Sequence, residues 1–352
     1  MSASDPARSE EAEIVASAVE GDESAFASIT ERYRRELQTH CYRMLGSLQD
    51  AEDAVQETFL RAWRSRESFG YRGPSSFRAW LYRVATNACI DMLHKKPRTP
   101  FPWQPGSPPR ASGGTLLPPD PDLAWLQPYP DRLLGTAPDG DQPETQVVAR
   151  ETIELAFIVA IQLLPPTQRA ALILRDVLGW SAKETAALLG TTVAAANSAL
   201  QRARATLKHD MPESRSAWGS PSERTAEERA VVRRYMDAHE RCDFAALAEL
   251  LRDYARLTMP PTPSWFEGRE AITGLFASWL DVGSPHYVGE VRRVAVAANG
   301  QPGSAGYLRR PGDSAYRPLG LEVLRIENGK VAEITMFVTG ELFPAFELPD
   351  AL

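Results

Sequence analysis

The chain has 352 residues, more than one hydrophobic core usually serves, which predicts two or three domains. A formal net charge of −7 and a pI near 5.5 exclude a general nucleic-acid coat, so any DNA contact has to come from local basic patches. Cys41, Cys89 and Cys242 are scattered, odd in number and without metal-ligand spacing, which predicts buried reduced thiols, no metal and no cofactor.

The N-terminus is acidic and polar, and no run is apolar enough to span a bilayer; the expectation is a soluble, cytoplasmic protein. From Glu11 to about Lys96 the pattern is helical. Phe26, Ile29, Tyr33 and Leu37 form one stripe. Gly46 breaks the chain, Ser47 caps, and a helix runs to about Arg64 with Ala54, Val55, Phe59, Leu60, Ala62 and Trp63 on its apolar side. Its other side carries Asp50, Glu52, Asp53, Gln56 and Glu57. That face is either solvated or a docking surface for a basic partner. The loop ESFGYRGPSS leads into a helix with Phe77, Trp80, Leu81, Val84 and Ala88 on one stripe. Phe69, Tyr71, Phe77, Trp80 and Tyr82 interleave there with Arg78, Arg83, His94, Lys95, Lys96 and Arg98. Bases hold a backbone and aromatic faces stack on unpaired bases, so the mixture suits opened DNA. An aromatic core helix with a basic end explains the same pattern.

From Pro97 to Thr145 prolines recur between Pro100 and Pro143 and forbid regular helix, and acids outnumber bases; this stretch, 99–145, reads as a linker. A segment at 146–211 follows. In it, LPPTQRAALILRDVLGWSAKETAALLG reads as two helices, the second from Ala182 to Leu189 with Ser181 as cap and Gly190 as stop. A third helix runs from near Thr192 to Lys208, with Val193, Ala196, Leu200, Ala203 and Leu207 on its inner face. Two helices joined by a glycine turn match a helix-turn-helix. Small residues at its start (Thr191, Thr192, Ala194, Ala195) allow close approach to a major groove. Asn197, Ser198 and Gln201 are placed for base edges, and Arg202, Arg204 and Lys208 for phosphates. An amphipathic helical hairpin with a solvated basic face is the plainer alternative.

DAEDAVQETFLRAW, then FRAWLYRVATNACIDML, then LPPTQRAALILRDVLGWSAKETAALLG with LQRARATL, in this order and spacing, resemble the ECF (extracytoplasmic-function) group of sigma-70-type sigma factors. The resemblance implies that 11–98 is sigma domain 2 and 146–211 sigma domain 4, both all-α. It implies that Asp50, Glu52, Asp53, Gln56 and Glu57 dock on the β′ clamp of core RNA polymerase. Phe69 to Lys96 would capture and melt the promoter −10 element, with Asn87 facing it and Phe69, Tyr71, Arg78, Trp80, Arg83, Lys95 and Lys96 around it. Domain 4 would read the −35 element through Thr191, Thr192, Ala195, Asn197, Ser198, Gln201, Arg202, Arg204 and Lys208. The linker would thread through the polymerase near its active centre. The chain departs from the family's habit at Asn197, often basic there, and at Ala199, often arginine.

After PESRSAWGSPSER a third domain, 224–345, begins. Helices are predicted from Thr225, over Phe244–Leu251 and over Arg269–Leu280, with an extended RLTMPP between. The period then becomes alternating in YVGEVRRVAVAANG, SAGYLRR, YRPLGLEVLRIENG and KVAEITMFV, with Glu327-Asn328-Gly329-Lys330 as a hairpin turn. Helices followed by an antiparallel sheet make an α+β domain. LTMPPTPSWFEGREAI and LEVLRIENGKVAEITMFV resemble the SnoaL-like cone fold, and the whole chain resembles the SigG-type subgroup that bears such an extension. Met259, Trp265, Phe276, Trp279, Tyr287, Tyr307, Leu321 and Phe337 either line a pocket for a small-molecule ligand or regulator, or fill the cone as core.

The leading expectation is a sigma factor that directs core polymerase to promoter DNA, is not an enzyme, and is regulated by its third domain. One alternative is a free-standing helix-turn-helix regulator, which leaves the acidic and aromatic-basic helices unexplained. Another is an enzyme whose cone uses Asp253, Tyr254, His286 or Glu322 as acid or base. No membrane partner is expected.

Overall fold

The computed structural model describes residues 6–70, 75–99, 116–134, 153–210 and 224–352. They divide into two compact units. The first takes the chain up to Arg98 and again from Ala156. The second takes Thr99–Asp131, Ile153–Leu155 and the C-terminal domain.

The first unit is helical. Helix α1 (Pro6–Glu20) packs on α2 (Glu23–Leu45), whose N-terminus is capped by Asp22 and whose C-terminus stops at Gly46 with φ 71°. Ser47 then accepts from the amide of Asp50 and starts α3 (Leu48–Arg64), followed by α4 (Ser75–Lys95). Ile29, Leu37, Cys41, Tyr42, Ala54, Leu81, Ala85 and Cys89 are buried among these helices. After α5 (Leu155–Ile161), α6 (Pro166–Leu172) widens into one π turn at Ile173–Val177. Helix α7 (Ala182–Leu188) begins in a full capping box between Ser181 and Glu184, and α8 (Val193–Asp210) follows. Ala196, Ala199, Leu200, Ala203 and Leu207 turn inward as the spacing requires, but Val193 is 43% exposed. It lies in the first turn of α8, where Thr191 to Ala195 all face solvent. Helices α6 and α7 also pack on α4, and α6 on α2, so the two predicted sigma domains belong to one unit.

The second unit is α+β. Helices α9 (Arg224–Glu240), α10 (Phe244–Leu250) and α11 (Arg269–Leu280) lie with a six-stranded sheet. Its strands are β1 (Leu251–Thr258), β2 (Trp265–Glu267), β3 (Glu290–Ala298), β4 (Gln301–Arg309), β5 (Arg317–Glu327) and β6 (Lys330–Phe337), in the order β2-β1-β6-β5-β4-β3. The Asn328-Gly329 turn joins β5 to β6 with both residues at positive φ, as predicted. The sheet is mixed, not antiparallel: β1 pairs parallel with β6. The chain leaves β1 through β2 and α11 and returns to β1 only with its last strand, so the two run the same way.

Helix-facing residues Leu257, Leu324, Ile334 and Met336 join Tyr235, Leu247, Ile272 and Phe276 in one core. Part of the linker also belongs to this unit. The amide of Leu117 donates to Ser264 Oγ at 2.8 Å, that of Asp120 to the Pro261 carbonyl at 3.0 Å, and Leu116 packs against the core.

Candidate polymerase and promoter interface

Helix α3 carries the five residues expected to dock on polymerase, and they are not equivalent. Asp50 is paired with Arg98, whose side chain is nearly buried. Glu52 accepts from Gln38 at 3.3 Å, and Glu57 pairs with Arg61 at 2.6 Å. Asp53 and Gln56 project into solvent. Leu60, predicted on the apolar side, lies one turn further along that exposed stripe and is 52% exposed.

The aromatic-basic helix is split between core and surface. Phe69 packs edge-on against Phe77 at 5.5 Å and lies 5.1 Å from Trp80; Phe77 and Tyr82 are buried. Trp80 is half-buried, and Arg83, Asn87, Lys95 and Lys96 are exposed. Trp80, Arg83 and Asn87 fall at spacings of three and four, so α4 presents them on one face. Arg78 also has a partner inside the protein. It donates to both carboxylate oxygens of Glu36 at 3.0–3.1 Å and lies over the Tyr82 ring, so it ties α4 to α2. Tyr71 lies outside the described residues.

On α8, Asn197, Gln201 and Lys208 share an exposed stripe with Ala194. Thr192 Oγ1 accepts from the Ala195 amide at 3.1 Å, so this threonine is a cap as well as an exposed side chain. Arg202 donates to Ser198 Oγ at 2.6 Å, and Arg204 is paired with Asp176 at 2.6 Å; both arginines remain exposed. A surface pair of this kind is worth about 0–1 kcal/mol and yields readily to a phosphate. Ala199 is buried, so a longer side chain would not fit there as α8 stands.

Arg169 of α6 was not foreseen as a site residue. It is buried, and among the described residues its hydrogen-bond partners are carbonyl and amide oxygens. It donates to the Met44 carbonyl and Gln162 Oε1, and to the carbonyls of Gln162 at 2.9 Å and Leu164 at 3.1 Å. Burial, with Arg98 nearby, pushes its pKa down to about 9. Gln162 Nε2 also donates to the Arg43 carbonyl at 3.3 Å. Trp180 lies 5.4 Å from Tyr82.

In the second unit the expected pocket residues separate. Met259 and Phe276 lie in the helix-side core, with Trp279 packed on it. Trp265, Tyr307, Leu321 and Phe337 are on the opposite face. The register aligns Leu321 with Phe337, while Ile334 and Met336 point to the helices. Tyr307 stands edge-on to Phe343 at 5.0 Å and its hydroxyl donates to the Pro349 carbonyl at 2.9 Å. These residues therefore do not line one cavity: period-two alternation sends them to different faces. Tyr287 is half-buried in the loop before β3.

Of the acid-base candidates, Asp253 is exposed and paired with Arg269, Tyr254 bonds Glu327 at the surface, and His286 is exposed in a loop. Only Glu322 is buried, held by Arg293, Tyr235 and Ser304. His239, beside this cluster, is kept well below the usual imidazole range by burial and by Arg293. Cys89 is buried and hydrogen-bonded to Cys41, and burial pushes its thiol up. Cys242, against expectation, is exposed in a turn at φ 54°. Among the described residues no helix is long and apolar enough to cross a membrane.

The turn between β3 and β4 makes a compact polar site. Asn299 (φ 59°) and Gly300 (φ 68°) form it. The Asn299 amide donates to the Tyr129 carbonyl and its Oδ1 accepts from the Tyr129 amide, both at 2.8 Å. Its Nδ2 donates to the Ile153 carbonyl at 2.8 Å. Gly300 donates to Asp131 Oδ1 at 2.7 Å, and Gln301 Oε1 accepts from the Leu155 amide at 3.0 Å. One turn thus holds Tyr129 of the linker and Ile153 just beyond the linker's end, 24 residues apart in sequence.

Two helical domains, one ending in a helix-turn-helix, with a cone-type α+β domain behind them, define a promoter-recognition protein. Family models agree: sigma-70 region 2 matches residues 29–99, sigma-70 region 4 matches 154–207, and a SnoaL-like domain matches 232–334. The chain belongs to the ECF sigma-70 family of RNA polymerase sigma factors, and it acts with core RNA polymerase on promoter DNA. It is 42% identical over 327 residues to the ECF RNA polymerase sigma factor SigG of Mycobacterium tuberculosis, covering 93% of this chain and 85% of that one. SigM of the same species is 32% identical over 56% of this chain and 82% of its own length. The crystal structure of M. tuberculosis SigJ has the same fold, with a TM-score of 0.56 at 24% identity, over 92% of this chain and all of that one.

Proposed function

We propose that the C-terminal domain regulates this sigma factor by holding the linker between its two sigma domains, and that it catalyses nothing. The observation that carries the reading is the Asn299 turn, which grips Tyr129 and Ile153 at once. A linker bound there is not available to thread a polymerase. Release follows only if core polymerase, or a ligand of the domain, has unequal affinity for the held and freed states. Of the four acid-base candidates, Glu322 is locked by Arg293 and the other three face solvent, which fits the non-catalytic reading.

In the working complex, which we place in the cytoplasm, Asp53, Gln56 and Glu57 meet the β′ clamp. Trp80, Arg83 and Asn87 face the opened −10 element. Asn197 and Gln201 reach −35 base edges, while Arg202, Arg204 and Lys208 hold phosphates. The domain limits that fit are 11–98, 99–145, 146–211 and 224–345.

Asn299→Gly tests the regulation, because glycine keeps the left-handed turn and removes only the side-chain bonds. Run-off transcription with core polymerase and limited proteolysis of the linker are compared with wild type. The reading predicts faster linker cleavage and altered transcript yield. Unchanged cleavage together with unchanged yield at several promoters sinks it.

A further inference from the structure

We infer that the outer edge of β3 is a strand-addition site for an extended segment of a partner protein, and that pairing there frees the linker from Asn299. Strand β3 ends the sheet on one side with nine residues; β2, at the other end, has three. The Arg293 amide donates to Glu240 Oε1 at 2.7 Å, so it points away from β4. By alternation along an unshifted ladder, the N–H and C=O of Ala295 and the N–H of Ala297 point the same way. Both alanines are exposed, and among the described residues no hydrogen-bond partner meets those groups. Natural edge strands are commonly blunted by lysine, proline, bulges or short length. Val294 to Ala298 reads VAVAA, uncharged, free of proline and in regular register.

Among the described residues this stretch is covered at its two ends. Glu240 sits at Arg293. At the other end Pro130 bridges antiparallel to Ala298, and the Tyr129 carbonyl takes the Asn299 amide at 2.8 Å. The linker goes no further along β3, because Pro130 has no amide to donate and Asp131–Leu133 turn into a 3-10 helix. Roughly 17 Å of edge lies between the two covers, counting ~3.4 Å per residue from Arg293 to Ala298. That length fits a short extended segment, with β-branched side chains to pack beside Val294 and Val296 and no proline where an amide must face β3. A second copy of the chain is a worse fit. Antiparallel pairing about Ala295 sets each Arg293, its amide already taken by Glu240, against Ala297 of the other copy. A partner strand that grows from Ala295 past Ala297 reaches the Asn299 amide next and takes it from Tyr129. Release by this route rests on the reading that the C-terminal domain holds the linker, and main chain replaces main chain at one turn.

The test uses full-length protein and the peptide acetyl-Thr-Val-Thr-Val-Thr-amide, with its fully N-methylated form, which cannot donate to a strand, as control. Amide hydrogen exchange is read at Ala295 and Ala297, and limited proteolysis at the linker. Without peptide both amides should exchange freely. With peptide about tenfold above its Kd they should slow by about tenfold, and linker cleavage should rise. The methylated form should do neither. Ala295→Pro should abolish the cleavage response and keep the β3–β4 ladder, since the amide it removes faces outward. If that variant does not fold, the methylated peptide carries the same distinction. Protected amides in the free protein overturn the proposal, as does a lack of slowing at the peptide's solubility limit, or slowing without a rise in linker cleavage. A cleavage response that survives in folded Ala295→Pro, or that the methylated peptide also gives, overturns it too. Asn299→Gly is run beside these. If it frees the linker while the peptide does not, strand addition is wrong and the holding of the linker stands. If Asn299→Gly leaves cleavage unchanged, the holding itself fails and the release with it.

Discussion

Arg293 of β3 and Glu322 of β5 form a two-point ion pair, at 2.5 and 3.0 Å, although β4 lies between their strands. The residues of β4 that they cross are Gly306, opposite Arg293, and Ser304, opposite Glu322, whose small side chains leave room for the arginine. Tyr235 and Ser304 complete the carboxylate's shell. Both charges are buried, so removing one strands the other. Glu322→Ala is expected to destabilise the C-terminal domain by about 3–5 kcal/mol. An Arg293→Met/Glu322→Leu double variant should lose less than either single change. Denaturant unfolding of the four proteins checks the cycle.

His40 gives a pH dependence. It is fully buried, its Nε2 lies 2.9 Å from Thr86 Oγ1, and burial with Arg43 and Arg78 nearby lowers its pKa to about 3. The native state keeps the ring neutral while the unfolded chain protonates it below about pH 6.5. Its contribution is therefore present above that pH and lost as pH falls towards 3, by about 1.4 kcal/mol per pH unit. The stability difference between wild type and His40→Phe should shrink between pH 6.5 and 4.5. A constant difference across that range would count against a neutral buried His40.

On the polymerase face, Asp53 and Asp50 should behave differently. Asp53→Lys sets like charge against a basic partner without disturbing an internal bond, so core affinity should fall roughly tenfold at low salt and less at high salt. Asp50→Lys strands Arg98 and should lower the melting temperature as well. Binding titrations at two ionic strengths, with melting curves, separate the two effects.

Asn87 and Arg78 divide the same way on α4. Asn87→Ala should slow open-complex formation, read by permanganate footprinting, while core binding and melting stay at wild-type values. Arg78→Ala removes the Glu36 pair and should destabilise the domain before it affects DNA. Equal footprints for Asn87→Ala and wild type would remove Asn87 from the −10 site.

The parts of this protein that sequence alone determined are local in origin. Ser181 with Glu184 marks a helix start because the capping box closes within one turn, and Asn328-Gly329 marks a hairpin because both residues accept positive φ. Three motifs in order carried the resemblance to the sigma-factor family, because each is a contiguous run of residues that can be matched before any fold is known. What only the tertiary structure decided involves partners distant in sequence. Alternation along β4, β5 and β6 could not say which face meets the helices, so Tyr307, Leu321 and Phe337 were grouped with Met259 and Phe276. Arg78 looked free until Glu36 of another helix reached it, and Asn299 looked like an ordinary turn residue until Tyr129 and Ile153 closed on it. A side chain's charge and shape are written in the sequence. Whether that charge meets solvent, a carboxylate or a distant carbonyl depends on which elements the fold brings within 3 Å, and that is settled by packing.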